Sequence, residues 1–287
     1  MKVSGFTFVR NAIKLGYPAV ESIKSILPIV DEFIVNVGPS EDDTLHLIES
    51  IGDPKIRILT CQWNESMHAK GFVYGQQKTI AHYNCTGDWA FYLEADEVVH
   101  ENDLPRIYES MERHLKDHEV EAIVFDYIHF YGNHMTCIDS PGWYRRAPRI
   151  IRNVLRSYSP DGLFFVVLTG NKRGRYPRSA LADAKIYHYG WVRNEEQMNE
   201  KFRLVSKYWG AADRRIDYSQ IDPMVLKEFK GTHPAVMRDW LPKGINSTFK
   251  ADPDHILTKR ERRHRLAMKI ERMFGIDLSK KHFRLIK

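Results

Sequence analysis

A chain of 287 residues with 43% hydrophobic and 28% charged residues is long enough for one large domain, or a domain with an extension, and is too apolar to be disordered. No apolar run approaches the ~18–20 residues that span a bilayer, and the start "MKVSGFTFVRNAIKLGYP" lacks the apolar core and cleavage site of a signal peptide. The net charge of +6 points to acidic partners, whether nucleotide phosphates, nucleic acid or an anionic membrane face.

Strand and helix signals alternate through the first half. Val3–Arg10 is a β-branched and aromatic run that predicts a strand; Pro18 then opens a helix carrying Val20, Ile23, Leu27 and Val30 at helical spacing. Glu32–Val37 ("EFIVNV") predicts a second strand, broken by Gly38-Pro39-Ser40. Asp42, Asp43 and Thr44 supply N-terminal signals for the next helix. Lys55–Cys61 predicts a third strand, Gly75–Tyr83 a helix and Trp89–Leu93 a fourth strand. Asn102 is then expected to cap a helix with Pro105 in its first turn, before a fifth strand over Ala122–Phe130.

This order implies parallel βαβ units with helices on both faces of the sheet, and ligands bind beyond the carboxyl ends of such strands. The loops after Arg10, Val37 and Leu93 therefore share one edge. At that edge "FYLEADEVVH" ends an apolar run in three carboxylates, Glu94, Asp96 and Glu97. Anions there need a cation, hydrogen bonds or water. Hard carboxylate oxygens suit Mg²⁺ or Mn²⁺, which bind substrate phosphates. The plainer reading is an exposed acidic loop.

Beyond Tyr131 the pattern loosens. Positions 141–190 are rich in Arg, Tyr, Trp and Gly and end in the strand-like "KIYHYGWV"; from Asn194 the chain reads as helical, with a basic terminal helix from Thr258. We divide it at 193/194, into a domain of residues 1–193 and a helical, basic extension of residues 194–287. The extension is expected either to pack on the core or to make peripheral contact with a membrane. Cys61, Cys85 and Cys137 form no Cys-x-x-Cys pair, which argues against a disulfide framework or a thiolate zinc site and suggests a cytoplasmic protein.

"VSGFTFVRNA", "FIVNVGPSEDDT" and "GDWAFYLEADE", in that order, resemble the family 2 glycosyltransferases of the GT-A fold. The resemblance implies an α/β, Rossmann-type, mostly parallel sheet. It also implies an inverting, metal-dependent transfer of sugar from a nucleotide-diphospho-sugar to an acceptor hydroxyl on a glycan or a lipid-linked acceptor, with Mn²⁺ or Mg²⁺ as cofactor. The family's Asp-x-Asp motif falls on Glu94-Ala95-Asp96: Asp96 would hold the metal, with Glu94 near the ribose or a metal-bound water. Glu97 extends the motif and joins the catalytic set. Val9, Arg10 and Asn11 would border the base. The second loop, with Asn36, Gly38 and Asp42, would reach base or ribose, and Asn36 stands where the family often has Asp.

Other residues are weighed on their chemistry. Lys78 can meet phosphate or be an exposed helical lysine. His188 can complete a divalent-metal shell or be a satisfied core histidine. Arg149 belongs to the run Arg145, Arg146, Arg149 and Arg152, whose planar guanidiniums suit a diphosphate. Transfer needs a base for the acceptor hydroxyl. Asp161, in the turn "SPDG", is preferred, with Asp139 and Asp183 as alternatives. The competing readings are a nucleotidyltransferase, a non-catalytic sugar-nucleotide binder and a basic nucleic-acid-binding protein. The last is disfavoured, because no RNP-type, zinc or basic-region motif is present, so no nucleic-acid partner is expected.

Overall fold

The computed structural model describes residues 1–209, 215–245 and 247–286. Its first half is one parallel block: β1 (Val3–Val9), α1 (Ala19–Ile26), β2 (Glu32–Val37), α2 (Thr44–Glu49), β3 (Ile56–Thr60), α3 (Phe72–Tyr83) and β4 (Trp89–Tyr92). The strands lie in the order β3-β2-β1-β4, with Val9 opposite Val37 and Phe6 opposite Tyr92. Phe33, Val35 and Val37 pack on one face with Ile23 and Ile26 of α1; Phe6, Ile34 and Tyr92 pack on the other with Ala81 of α3. Burial on both faces explains why these strands read as unbroken apolar runs.

The second half completes the sheet differently. It comprises β5 (Glu97–Val99), α4 (Leu104–Arg113), β6 (Ala122–Tyr131), β7 (Asn133–Ile138), β8 (Arg146–Arg152), β9 (Ser157–Tyr158), β10 (Val166–Leu168), β11 (Gly174–Arg175), β12 (Arg178–Trp191), α5 (Glu195–Val205), β13 (Leu226–Glu228), α6 (Lys259–Phe274) and β14 (Arg284–Leu285). β8 is inserted antiparallel between β4 and β6, so β6 regains the direction of β4, and β12 runs parallel beside β6. Of the eleven strands described in this sheet, β5, β7 and β8 oppose the rest. The mostly parallel α/β architecture of a GT-A fold is thus present, with a mixed second half. β9, β10 and β11 form a small sheet of their own.

β12 carries an irregularity. Leu181 pairs with Val124 and Lys185 with Asp126, so β12 spends two more residues than its neighbour between these points. Asp183 sits there at φ 53°. Beyond it, His188 lies opposite His129 of β6 and Glu97 of β5.

One expectation is corrected. Asn102 does not cap α4: a 3₁₀ turn over Glu101–Asp103 precedes it, and the His100 ring accepts from the Asn102 N–H at 3.2 Å. Beyond the 193/194 division, β13 pairs with β7 and β14 with β12 in the main sheet. α5 begins where expected, capped by Asn194, whose side chain accepts from the Gln197 N–H at 2.8 Å. α6 opens on a reciprocal cap between Thr258 and Glu261 and stops at Gly275, φ 63°.

Candidate functional site

Four loops meet beyond the carboxyl ends of β1, β2, β4 and β12 around a cavity of about 330 Å³. Val9, Arg10 and Asn11 form part of its wall, as do Glu94, Asp96, Asp161 and His188. The first loop is held by reciprocal bonds. Asn11, at φ 54°, accepts from the Glu41 N–H at 2.8 Å through Oδ1, and its own N–H donates to Ser40 Oγ at 3.0 Å. Asn tolerates this left-handed backbone because its short side chain satisfies nearby N–H groups.

Asp96 is the centre of the site. It is buried, and three cationic or ionisable groups surround it: Lys201 Nζ at 3.1 Å, His188 Nε2 at 3.7 Å and Arg193 Nη2 at 3.9 Å. Burial alone would raise its carboxyl, but the charges of Lys201 and Arg193 outweigh it and hold Asp96 well below the usual carboxylate range. One ligand atom each from Glu94, Asp96 and His188 lie within 4.8 Å of one another.

The tautomer of His188 follows from its neighbours. His129 Nε2 faces the Tyr144 carbonyl at 2.7 Å, and a carbonyl only accepts, so the proton is on that nitrogen. Burial and His188 push His129 down to about 3, and burial lowers His188, so both rings are neutral. His129 Nδ1 is then an acceptor, and His188 Nδ1, 2.9 Å away, must donate to it. The Nε2 lone pair of His188 is left facing Asp96. This donor set and tautomer could hold a divalent cation, with the other nitrogen of the histidine ring anchored.

Behind the acidic loop, Arg149 is fully buried and saturated. Its Nε and Nη2 donate to both oxygens of Glu97 at 2.7 and 2.6 Å, Nη2 also to Glu94 at 2.8 Å, and Nη1 to the Leu163 carbonyl at 2.8 Å. Tyr127 Oη donates to Glu97 at 2.8 Å. Arg149, expected at the diphosphate, and Glu97, expected in the catalytic set, do not line the cavity. Together they lock the backbone of the acidic turn, since Glu97 also accepts from the Glu94 N–H at 3.1 Å. Burial and the adjacent Glu97 raise the Glu94 carboxyl.

Asn36, Gly38, Asp42 and Lys78 do not line the cavity either. Asn36 shares the face of Ile34 and donates to the carbonyl and side chain of Gln77 in α3, at 3.0 and 2.9 Å. Asp42 accepts from the N–H groups of Lys14 (2.7 Å) and Thr44 (3.1 Å), tying the first loop to the second. A side chain on Gly38 would lie 2.4 Å from Trp63 Nε1, so this glycine seats the indole on the cavity wall. Lys78 is neither exposed nor in the cavity. Its ammonium is buried 3.9 Å from the Tyr92 ring and 4.0 Å from Phe165, without a hydrogen-bond partner among the described residues, and burial drives its pKa far down. Among the arginines of the basic run, Arg145 pairs with Asp139, Glu271 and Asp277, Arg146 with Asp126, and Arg152 with four backbone carbonyls.

Asp161 lines the cavity in a tight turn, accepting from the Leu163 N–H at 3.0 Å. α3 fixes this turn from below: a Cβ on Gly75 would come within 2.4 Å of the Ser159 carbonyl. Asp139 is consumed by Arg145 and Lys227, and Asp183 is in the β12 irregularity; neither lines the cavity.

Lys201, Arg193 and the 204–209 segment were not foreseen. Lys201 reaches Asp96 from α5, and burial followed by the charge of Arg193 lowers it to about 8. Leu204, Val205, Tyr208 and Trp209 close one side of the cavity; Glu65 accepts from Tyr208 Oη at 2.6 Å and from Lys207 at 2.9 Å, and it also pairs with Arg10. Trp209 stacks on Tyr74 with ring centres 6.0 Å apart. Asn194 announced the helix in sequence, but nothing local announced that one face of it returns to Asp96.

The sequence profile described as "Glycosyl transferase family 2" matches residues 9–167, more than half of the chain. The chain belongs to glycosyl transferase family 2. Among curated family relatives, an uncharacterised glycosyltransferase of Rickettsia prowazekii is 24% identical over 207 residues, and one of Rickettsia felis is 31% identical over 98. The first alignment covers 69% of this chain and 64% of the relative's length; the second covers 34% and 30%. Among solved structures, S. aureus TarS 1-349 superposes at a TM-score of 0.42 with 17% identity, covering 74% of this chain and 67% of that one. Glucosyl-3-phosphoglycerate synthase from Mycobacterium tuberculosis, solved with Mn²⁺, uridine diphosphate and phosphoglyceric acid, gives 0.33 with 20% identity over 44% of this chain and 43% of that one. His188 and Lys201 both lie beyond the matched family segment.

Proposed function

We propose that this family 2 member transfers a sugar from a nucleotide-diphospho-sugar to an acceptor hydroxyl of a glycan or glycolipid, with inversion at the anomeric carbon and with help from Mn²⁺ or Mg²⁺. The observation that carries the reading is the convergence of Asp96, Glu94 and the Nε2 lone pair of His188 on one cavity. Asp96 and His188 would hold the ion, with Glu94 beside them. A bound divalent ion supplies positive charge against the diphosphate as the sugar leaves.

The chain's own residues do the rest. Lys201 and Arg193 add fixed positive charge at the same point, where charge grows on the leaving group. Val9, Arg10 and Asn11 border the nucleotide. Among the described residues Asp161 is the cavity carboxylate left free of any ion pair, so it takes the proton from the acceptor hydroxyl as that oxygen attacks the face opposite the diphosphate. Arg149 and Glu97 hold the acidic turn in place and touch no substrate.

The test is a thermal-shift panel of nucleoside diphosphates with and without Mn²⁺, because a ligand of the native state raises its stability. The expected result is a stabilisation that needs both components and disappears in Asp96→Asn. Stabilisation by a diphosphate that is equal in the variant would refute the assignment.

A second reading is favoured by the 3.1 Å contact between Lys201 and Asp96. Here lysine and arginine alone meet the diphosphate, and stabilisation by nucleotide is unchanged by a chelator.

A further inference from the structure

α6 is turned inside out relative to an ordinary surface helix. The face packed on the protein is the polar one. Arg265 donates to both oxygens of Asp222 at 2.7 and 2.8 Å, Glu271 accepts from Arg145 at 2.7 and 3.0 Å, and His264 Nδ1 lies 3.3 Å from Ser140 Oγ. Glu261 accepts from the Asp222 N–H at 3.0 Å. Met268 is the one apolar α6 side chain buried on that side.

The opposite face is apolar. Leu266, Ile270 and Met273 recur at i, i+4 and i+7, which puts them on one outward stripe. Leu266 is 60% exposed, Met273 74% and the neighbouring Phe274 66%; past the helix end, Ile276 and Leu278 are also exposed. A helix normally hides such a stripe and solvates its charges. Here charge pairing fixes the helix to the core and the apolar stripe is presented outward, so the stripe is built to meet something.

Its borders say what. Arg262 and Lys269 flank the stripe on one side and Arg263 on the other, with Lys259 at its start. None of the four has an ion-pair partner among the described residues, and all are exposed. Long cationic side chains on either side of an apolar strip keep their heads at a charged surface while the strip enters the layer beneath. A nucleic acid would use the charges but gain nothing from Leu266, Met273 and Phe274. The 16 residues of α6 give about 24 Å of helix, long enough to lie flat on a lipid surface.

We infer that α6 and the segment just after it dock the protein onto an anionic lipid bilayer, with Leu266, Ile270, Met273 and Phe274 entering the interface and Arg262, Arg263 and Lys269 meeting the headgroups. The inference is independent of the chemistry in the cavity.

The test is co-sedimentation of the full chain with vesicles of pure phosphatidylcholine and of phosphatidylcholine containing one quarter phosphatidylglycerol. Binding is expected to the second only and to fall with salt, since salt screens the attraction between basic side chains and an anionic surface. The double variants Leu266→Asp/Met273→Asp and Arg262→Glu/Lys269→Glu, checked for native circular dichroism, should each bind at least ~10-fold more weakly. Equal pelleting with both vesicles, none with either, or variants that pellet like the parent would overturn the inference. So would light scattering that showed a dimer abolished by Leu266→Asp/Met273→Asp without any lipid dependence, because the stripe would then face a second copy.

Discussion

His129 and His188 face each other across β6 and β12 with their Nδ1 atoms 2.9 Å apart, and the proton between them belongs to His188. The Tyr144 carbonyl sets this assignment from the far end. Removing His129 frees His188 to choose its tautomer and rotamer. His129→Phe should therefore weaken Mn²⁺ binding by ~10–100-fold, the effect typical of a lost outer hydrogen bond to a ligand histidine. Mn²⁺ paramagnetic resonance reads this without turnover, and an unaltered affinity would show that the ring pair is only packing.

Lys201 pairs with the carboxylate that the proposed divalent ion would need. Lys201→Met should tighten Mn²⁺ binding by roughly ten-fold, comparable to the influence an adjacent cation has on a carboxylate, while weakening that of a nucleoside diphosphate. Calorimetric titration measures both. Looser Mn²⁺ binding in the variant would mean that the lysine does not occupy the ion's place.

Glu97 and Arg149 form a pair with no access to water. Arg149→Met strands a buried carboxylate and should cost about 3–5 kcal/mol in urea unfolding. Replacing Glu97 by Met as well should recover a large part of that loss. A double variant as unstable as the sum of the singles would indicate that the two side chains act separately.

Asp161→Asn tests the base. Turnover is expected to fall by ~10²–10⁴-fold, with nucleotide binding within a few-fold of the parent, because the turn bond to the Leu163 N–H needs only a carbonyl oxygen. Transfer rates near those of the parent would return the role to another group.

The sequence made the parallel block legible because each element there is local: apolar runs, Pro18, the Gly38-Pro39-Ser40 break. It also picked out Asp96 and His188, whose chemistry is unusual for their setting. What it left obscure depends on pairing between distant strands. Asn36 was read as a loop residue, but strand alternation turns it with Ile34 toward Gln77. Arg149 looked like a free guanidinium until β8 was seen to run beside β4, which delivers it to Glu94 and Glu97. Lys201 sits in the second turn of a helix that could have packed anywhere. Asp183 was a possible base in sequence and is a backbone irregularity in the fold.

That irregularity sets the phase of everything after it. Side chains on a strand alternate, so the number of residues looped out at 182–184 determines whether His188 points into the cavity or out of its far side. Deleting Asp183 alone would reverse the parity of positions 185–191, turning His188 away from Asp96 and Tyr189 toward it. A single codon in a stretch that does not line the cavity thus governs whether His188 and Asp96 face each other.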